Sequence, residues 1–153
     1  MMNDSGLVVG IDILGEIIEE SKKCINKNNK NLLNSGKIIL VSGDGRRGFK
    51  KYAPYHVIHA GAAVEKISKE LYDQLACGGR MFIPVGKNCE DHQFIEIIDK
   101  DKDGNITKNK NIIKVNYSYL HTYEETIGTK ERSKSKNIIK RAYSLIKRKN
   151  YII

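Results

Sequence analysis

The sequence predicts an α/β fold in which a mostly parallel sheet ends in antiparallel strands. Short apolar runs alternate with stretches of helical periodicity, a pattern typical of a parallel sheet buried on both faces. The last two apolar runs follow each other without a helix between them, which indicates an antiparallel pair. With 153 residues, of which 40% are hydrophobic, the chain is long enough for one domain with a core.

The first half of the chain alternates between strands and a helix. Residues 6–12 (GLVVGID) form the first predicted strand. Residues 13–28 place isoleucines and Cys24 on one helical face, so we predict an amphipathic helix there. Two further apolar runs, residues 36–44 and 55–63, predict the second and third strands.

The second half continues the alternation and then departs from it. Residues 65–79 predict a helix that stops at the Gly78–Gly79 pair, because glycine readily adopts the left-handed conformation of a helix cap. Residues 80–86 (RMFIPVG) predict a fourth strand. Residues 92–99 and 111–120 are the two consecutive runs that predict the antiparallel strands.

The connection between those two runs is similar to an EF-hand calcium loop. Acids at its first, third and fifth places (Asp99, Asp101 and Asp103) are followed by Gly104. The twelfth place, where a bidentate glutamate should close the calcium shell, is Lys110, and the flanks alternate at strand period instead of forming helices. Asp-Gly is a strong hairpin signal, so we predict a turn between two strands and no calcium site.

Several classes of protein are disfavoured by the composition. No apolar run approaches the ~18 residues that a membrane-spanning helix needs, and the N-terminus has no secretory signal pattern. The three cysteines are widely spaced and fit neither a disulfide framework nor a zinc site. A cytoplasmic location is the expectation that follows.

The net charge of +9 is concentrated at the C-terminus. Residues 128–153 contain nine Lys or Arg and one acid, Glu131, which gives that segment a charge of +8. We therefore divide the chain into a domain at 1–127 and a basic tail at 128–153, helical or disordered. Such a tail is either a solvated segment or one that binds nucleic acid or an acidic membrane surface.

Candidate binding residues lie at three predicted strand ends, where open parallel sheets bind ligands. Asp12 could accept hydrogen bonds from the vicinal hydroxyls of a ribose, or it could cap the following helix. Asp44 and Gly45 could bind an adenine amino group, or they could form an ordinary Asp-Gly turn. The small residues at 59–63 (HAGAA) could keep a strand end open to a ligand, or they could allow close packing.

Together these stretches resemble the protein-L-isoaspartate (D-aspartate) O-methyltransferases over residues 6–126. The resemblance is carried by SGDGRRG at 42–48, APY-x-x-IHAGAA at 53–63 and GGR-x-x-x-PVG at 78–86. It implies the Rossmann-like sheet of adenosylmethionine-dependent methyltransferases. It also implies a monomeric enzyme that uses S-adenosylmethionine to methylate the carboxylate of isoaspartyl residues in damaged proteins, which is a repair reaction.

The resemblance also implies roles for particular residues, with no metal and no general base, because a carboxylate is already ionised near neutral pH. The residues expected to bind the cofactor are Asp12 and Ile13 at the ribose, Asp44 and Gly45 at the adenine, and Thr122 and Thr126 closing over it. The residues expected to face the isoaspartyl substrate are Gly61, Ala62, Pro84 and Val85.

One part of the family pattern is not found in these 153 residues. The family carries N-terminal helices, a central first strand and, after that strand, a D-x-G-x-G-x-G loop that cradles the methionine part of the cofactor. Without that strand we expect two buried sheet edges with unpaired backbone groups, each of them costly. We therefore expect weak activity from this chain alone, and the alternative is a non-catalytic remnant whose basic tail binds acidic partners.

Overall fold

The computed structural model describes residues 6–87, 92–110 and 112–126. Its helices and strands, in chain order, are β1 (Val8–Asp12), α1 (Gly15–Asn34), β2 (Ile38–Ser42), β3 (Tyr55–His59), α2 (Lys69–Gln74), β4 (Leu75–Val85), β5 (Gln93–Lys100), β6 (Ile106–Asn109) and β7 (Lys114–Val115). The predicted basic tail at 128–153 lies outside the described residues.

The strands combine parallel and antiparallel pairing as predicted. β1 pairs with β2 in parallel, with Val9 opposite Ile39. β3 pairs with β4 in parallel, and β4 then pairs with β5 antiparallel, with Ile98 opposite Met81. β6 and β7 both pair antiparallel with β5. The prediction of a mixed α/β fold with antiparallel strands at its C-terminal end is therefore confirmed.

The strands form two separate sheets, β1–β2 and β3–β4–β5–β6 with β7 beside β5. Among the described residues, β1 has no strand neighbour other than β2, and β3 has none other than β4. Val57, in the middle of β3, is 64% exposed. The sequence led us to expect two unpaired edges here, but the expectation that both are buried is wrong for β3. Side chains of both strands line one apolar cavity.

Helix α1 connects β1 to β2 and packs against both strands. Ile18 is its buried residue, and charged side chains along the helix form ion pairs one turn apart, such as that between Lys22 and Glu19 at 2.7 Å. The helix starts two residues later than predicted and ends six residues later, after a non-helical Asn29. Amphipathic periodicity therefore located this helix, but it did not define the end of the helix.

The second predicted helix is much shorter in the structure, and its predicted glycine cap is wrong. α2 ends at Gln74, and the chain enters β4 directly at Leu75. Gly78 has a φ of +77°, but it lies in a register shift, because Tyr55 is opposite Leu75 while Val57 is opposite Arg80. The positive φ serves a bulge within a strand, and not a helix terminus.

The core lies around β4. Leu75, Met81 and Ile83 on β4 are at most 1% exposed, as is Ile98 on β5. Leu71 of α2 packs into the same cluster. Burying a large apolar side chain stabilises the fold by about 1.5–3 kcal/mol, so β4 and its immediate neighbours hold the larger sheet together.

The EF-hand-like stretch is a hairpin, as predicted. β5 and β6 pair antiparallel around it, with Lys100 opposite Ile106. The Asp101 carboxylate accepts hydrogen bonds from the backbone N–H groups of Asp103 and Asn105, at 2.9 and 2.8 Å. The returning strand β6 comes earlier than we predicted, because its four residues are exposed and give no apolar signal. Of the predicted run at 111–120, only β7 is a strand.

Among the described residues, no helix has both the length and the apolar character needed to cross a membrane.

Candidate functional site

Asp12 stands at the end of β1 beside the end of β2. Its carboxylate Oδ1 accepts a hydrogen bond from the Leu14 N–H at 2.8 Å. Leu14 itself occupies the N-cap position of α1, and no side chain caps that helix, so the helix-cap interpretation of Asp12 is wrong. Within the described residues, Asp12 Oδ2 makes no hydrogen bond. That oxygen is available to a ligand.

The protein environment raises the pKa of Asp12. Burial is the larger cause, since it disfavours the charged carboxylate, and the Leu14 N–H acts in the opposite direction. A half-buried carboxylate with an unused oxygen is a strong acceptor for hydroxyl donors. The geometry at Asp12 is therefore compatible with a diol ligand.

Asp44 caps a turn of 3-10 helix at Gly45–Arg47, so the turn interpretation of this pair is confirmed. Its Oδ1 accepts a hydrogen bond from the Arg46 N–H at 3.0 Å, and its Oδ2 is 2.7 Å from Arg46 Nη2. The pKa of Asp44 is lowered, chiefly by the hydrogen bond from the Arg46 side chain. Asp44 therefore remains ionised, with both carboxylate oxygens bonded to Arg46. Its expected role at an adenine stays a prediction.

An open cleft of about 670 Å³ lies beside these two strand ends. Three stretches that are distant in the sequence line it together: Ile13 and Gly15, Ser42–Asp44 with Arg47, and Thr122–Glu124. Ligand sites of small molecules commonly measure about 300–1,000 Å³. The structure thus gathers Ile13, Asp44 and Thr122 in one cleft. The other residues predicted for the cofactor, Asp12, Gly45 and Thr126, are not among those that line it.

Thr122 begins a short helical segment at 123–126 with a reciprocal cap. The Glu125 N–H donates to Thr122 Oγ1 at 3.1 Å, while the Thr122 N–H donates to Glu125 Oε2 at 2.6 Å. Thr126 Oγ1 donates to the Thr122 carbonyl at 2.8 Å. This capping box fixes the C-terminal wall of the cleft. The T-x-x-E pattern at residues 122–125 of the sequence could have predicted this capping box.

The chain after β3 runs between two other segments. The Ala63 N–H donates to the Ser118 carbonyl at 2.8 Å, and the Val64 N–H donates to the Pro84 carbonyl at 3.0 Å. Ala63 is fully buried, so close packing explains the small residue at that position. Gly61, by contrast, lines a second, smaller cavity of about 110 Å³.

The predicted substrate residues are not gathered in the way the cofactor residues are. The Pro84 side chain is fully buried, and Val85 packs against the core. Ala62, Pro84 and Val85 are absent from the linings of both cavities, which leaves Gly61 as the one predicted substrate residue that faces either. A substrate would meet the backbone of this region more readily than these side chains.

The family model described as protein-L-isoaspartate (D-aspartate) O-methyltransferase matches residues 1–125 of the chain. The chain belongs to this family. A protein-L-isoaspartate O-methyltransferase from Caenorhabditis elegans is 41% identical over 125 residues, which are 82% of this chain and 54% of that protein. Protein-L-isoaspartate O-methyltransferase 2 from Arabidopsis thaliana is 43% identical over 107 residues, which are 69% of this chain and 34% of that protein.

Solved structures agree on the fold. A Plasmodium falciparum protein of this methyltransferase type, in complex with S-adenosyl-L-homocysteine, matches with a TM-score of 0.66 at 22% identity, covering 75% of this chain and 52% of that one. A second protein-L-isoaspartate O-methyltransferase matches with the same score, covering 78% of this chain. The chain spans about half the length, or less, of the curated relatives it matches.

Within this methyltransferase family fold, sequence reasoning missed several residues of the site. Arg47, Tyr123 and Glu124 line the large cleft. Gln74 and Ser68, on and before α2, bond to the loop that carries Asp44. The available signal was Gln74 beside Leu71 and Leu75 on the apolar face of the helix predicted at 65–79, because a buried amide needs a hydrogen-bond partner.

Proposed function

We propose that the protein transfers a methyl group from S-adenosylmethionine to the side-chain carboxylate of isoaspartyl residues in damaged proteins. In this proposal the present chain supplies the nucleoside side of the cofactor site. The observation that carries it is the convergence of Ile13, Asp44 and Thr122 on one cleft at the strand ends, next to Asp12, in a chain of the isoaspartyl methyltransferase family.

The donor groups of a nucleoside suit the acceptors at this cleft. A ribose offers two adjacent hydroxyl donors, and Asp12 has a carboxylate oxygen that no described residue uses. An adenine offers an amino donor, and the ionised Asp44 would accept it in exchange for one of the Arg46 side-chain bonds that now occupy its oxygens. The backbone at Gly43, which lines the cleft, has no side chain to keep a flat ring away. Asp12 and Asp44 would therefore hold ribose and base, with Thr122 closing the cleft.

When bound, S-adenosylmethionine supplies an activated methyl group. An isoaspartyl carboxylate is ionised near neutral pH, so the acceptor needs no general base from the protein. What the chain contributes is orientation and exclusion of water, and correct alignment alone can supply up to ~7–11 kcal/mol of a barrier. The backbone around Gly61 and the Thr122 cap would perform that positioning.

The experiment is transfer of labelled methyl from S-adenosylmethionine to a synthetic isoaspartyl peptide, with the matched aspartyl peptide as control. Two proteins are compared: the 153-residue chain, and the same chain preceded by the part of the Caenorhabditis elegans relative that lies before the matched region. We expect little transfer by the first and isoaspartyl-selective transfer by the second. A longer protein that folds, binds adenosine and yet methylates neither peptide would contradict the proposal.

A second candidate function rests on the two unjoined sheets. A chain in which no described strand joins β1 to β3 could act as a non-catalytic binding protein, with its basic tail contacting acidic partners. Robust methyl transfer by the 153-residue chain itself would eliminate this candidate. It would also show that the glycine-rich loop is dispensable or replaced.

A further inference from the structure

The loop at residues 43–48, which we call the cofactor loop, lies between the two cavities. Gly43, Asp44 and Arg47 line the large cleft, while Gly45 and Gly48 line the small cavity. Hydrogen bonds within the loop, such as that from the Arg47 N–H to the Asp44 carbonyl at 3.0 Å, hold its 3-10 turn. Bonds from outside the loop fix where that turn lies.

Two side chains associated with α2 provide such bonds. Gln74 Nε2 donates to the Arg47 carbonyl at 2.7 Å, and Ser68 Oγ donates to the Arg46 carbonyl at 2.5 Å. These acceptors are consecutive carbonyls of the cofactor loop, and they lie directly after Asp44 and Gly45. The helix thus holds the loop at the two residues that follow the pair to which the proposed function assigns the adenine. Of that pair, Asp44 lines the large cleft and Gly45 the small cavity.

The Gln74 amide is placed with little freedom. Gln74 is 6% exposed, and its Oε1 has no hydrogen-bond partner among the described residues. The Gln74 amide bonds through its Nε2 donor, so the Arg47 carbonyl sets the orientation of this side chain. The cofactor loop packs closely against this amide, because a Cβ on Gly48, whose φ is +59°, would lie 2.5 Å from Gln74 Oε1.

We propose that Gln74, assisted by Ser68, is a positioning residue that fixes the cofactor loop so that Asp44 selects an adenine amino group. This rests on the proposed function, since it assigns the loop to the nucleoside. Gln74 contacts no ligand in this scheme and acts through the Arg47 carbonyl. Without the Gln74 donor, the Arg47 carbonyl loses its hydrogen-bond partner. The loop then relaxes away from the conformation that directs Asp44 at the adenine amino group.

The test separates positioning from general stability by measuring two affinity ratios. The ratio of adenosine to inosine reports recognition of the amino group, which inosine lacks. The ratio of adenosine to 2′,3′-dideoxyadenosine reports recognition of the ribose hydroxyls by Asp12. Both ratios are measured by titration calorimetry for the 153-residue chain and for Gln74→Met, which keeps the length of the side chain but removes the donor.

We expect Gln74→Met to reduce the adenosine-to-inosine ratio by about tenfold and to leave the ribose ratio unchanged. The matched control is Ile98→Val, a core substitution in β5 that lowers the melting temperature without touching the cofactor loop; it should change neither ratio. If Gln74→Met does not fold, the same two ratios are measured for Ser68→Asp. Aspartate retains the cap of α2 but cannot donate a hydrogen bond to the Arg46 carbonyl. Ser68→Asp should reduce the adenosine-to-inosine ratio.

The outcomes distinguish the two claims. If the unsubstituted chain binds adenosine but Gln74→Met, or Ser68→Asp in its place, keeps the adenosine-to-inosine ratio, the positioning role is wrong while the proposed function stands. Equal loss of both ratios would also overturn it, because that result indicates general destabilisation. If the unsubstituted chain binds no adenosine, the proposed function fails, and the inference fails with it.

Discussion

The most direct test of the cofactor site is Asp12→Asn. The substitution preserves an oxygen that can accept the Leu14 N–H, which the wild-type carboxylate accepts at 2.8 Å, so the local backbone should be retained. It removes the negative charge and replaces the unused acceptor oxygen with an NH2 donor. The change therefore affects the proposed ribose contact more than the fold.

The expected magnitude follows from the bonds that are lost. A hydrogen bond to a charged group contributes about 1.5–3 kcal/mol. Loss of one such bond to a ribose hydroxyl should weaken adenosine binding by about 10- to 150-fold. Asp12→Ala removes both proposed ribose bonds and the Leu14 bond as well, and should weaken adenosine binding by about 2–4 kcal/mol.

Titration calorimetry with adenosine measures the loss, and 2′,3′-dideoxyadenosine provides the matched ligand. If Asp12 binds the diol, the substitution should matter for adenosine and have little effect on the dideoxy compound. Equal affinities of the wild-type chain for the two ligands would refute the reasoning, as would an Asp12→Asn variant that binds adenosine normally. Circular dichroism of each variant verifies that the comparison is between folded proteins.

Three other predictions concern pH, calcium and the tail. Because burial raises the pKa of Asp12, adenosine affinity should fall as pH drops through a range above 3.8, where an ordinary aspartate stays ionised, and titrations of Asp12→Asn should show no such fall. Calcium should give no binding isotherm at micromolar concentration, since the Asp101 carboxylate already bonds to its own turn; a saturable one-site isotherm would contradict the hairpin interpretation. Deleting Gly128–Ile153, which carries +8 of the +9 net charge, should abolish binding to nucleic acid or anionic vesicles at low salt, and binding that survived would place its source in residues 1–127.

The strands were predictable because each buried strand is a continuous apolar run. The boundary between α2 and β4 could not be predicted, since Leu75 and Ala76 are apolar residues that suit a helix face and a buried strand equally well. The early start of β6 was also missed. Its residues, from Ile106 to Asn109, are all exposed and carry no period-two apolar pattern.

For the site, residues at strand ends were easier to place than residues that act from a distance. Asp12 ends β1 and Asp44 follows the end of β2 by two residues, and the carboxyl ends of such parallel strands meet at one edge. The burial of the Pro84 side chain could not be predicted, because a motif gives order in the chain but not the direction of a side chain; its expected place at the substrate stays a prediction. Gln74 was missed because its partner, the Arg47 carbonyl, is 27 residues away in the chain.

The outer edge of β3, which no described strand covers, has a consequence for contacts between copies of this chain. A strand edge with exposed apolar residues is a template to which another chain can add a strand, and Val57 provides such a residue at its centre. At low salt the positive charge keeps copies apart, but added salt screens that repulsion and leaves the edge unchanged. We therefore expect rising ionic strength to favour self-association through β3, which is the reverse of its expected effect on any contact made by the basic tail.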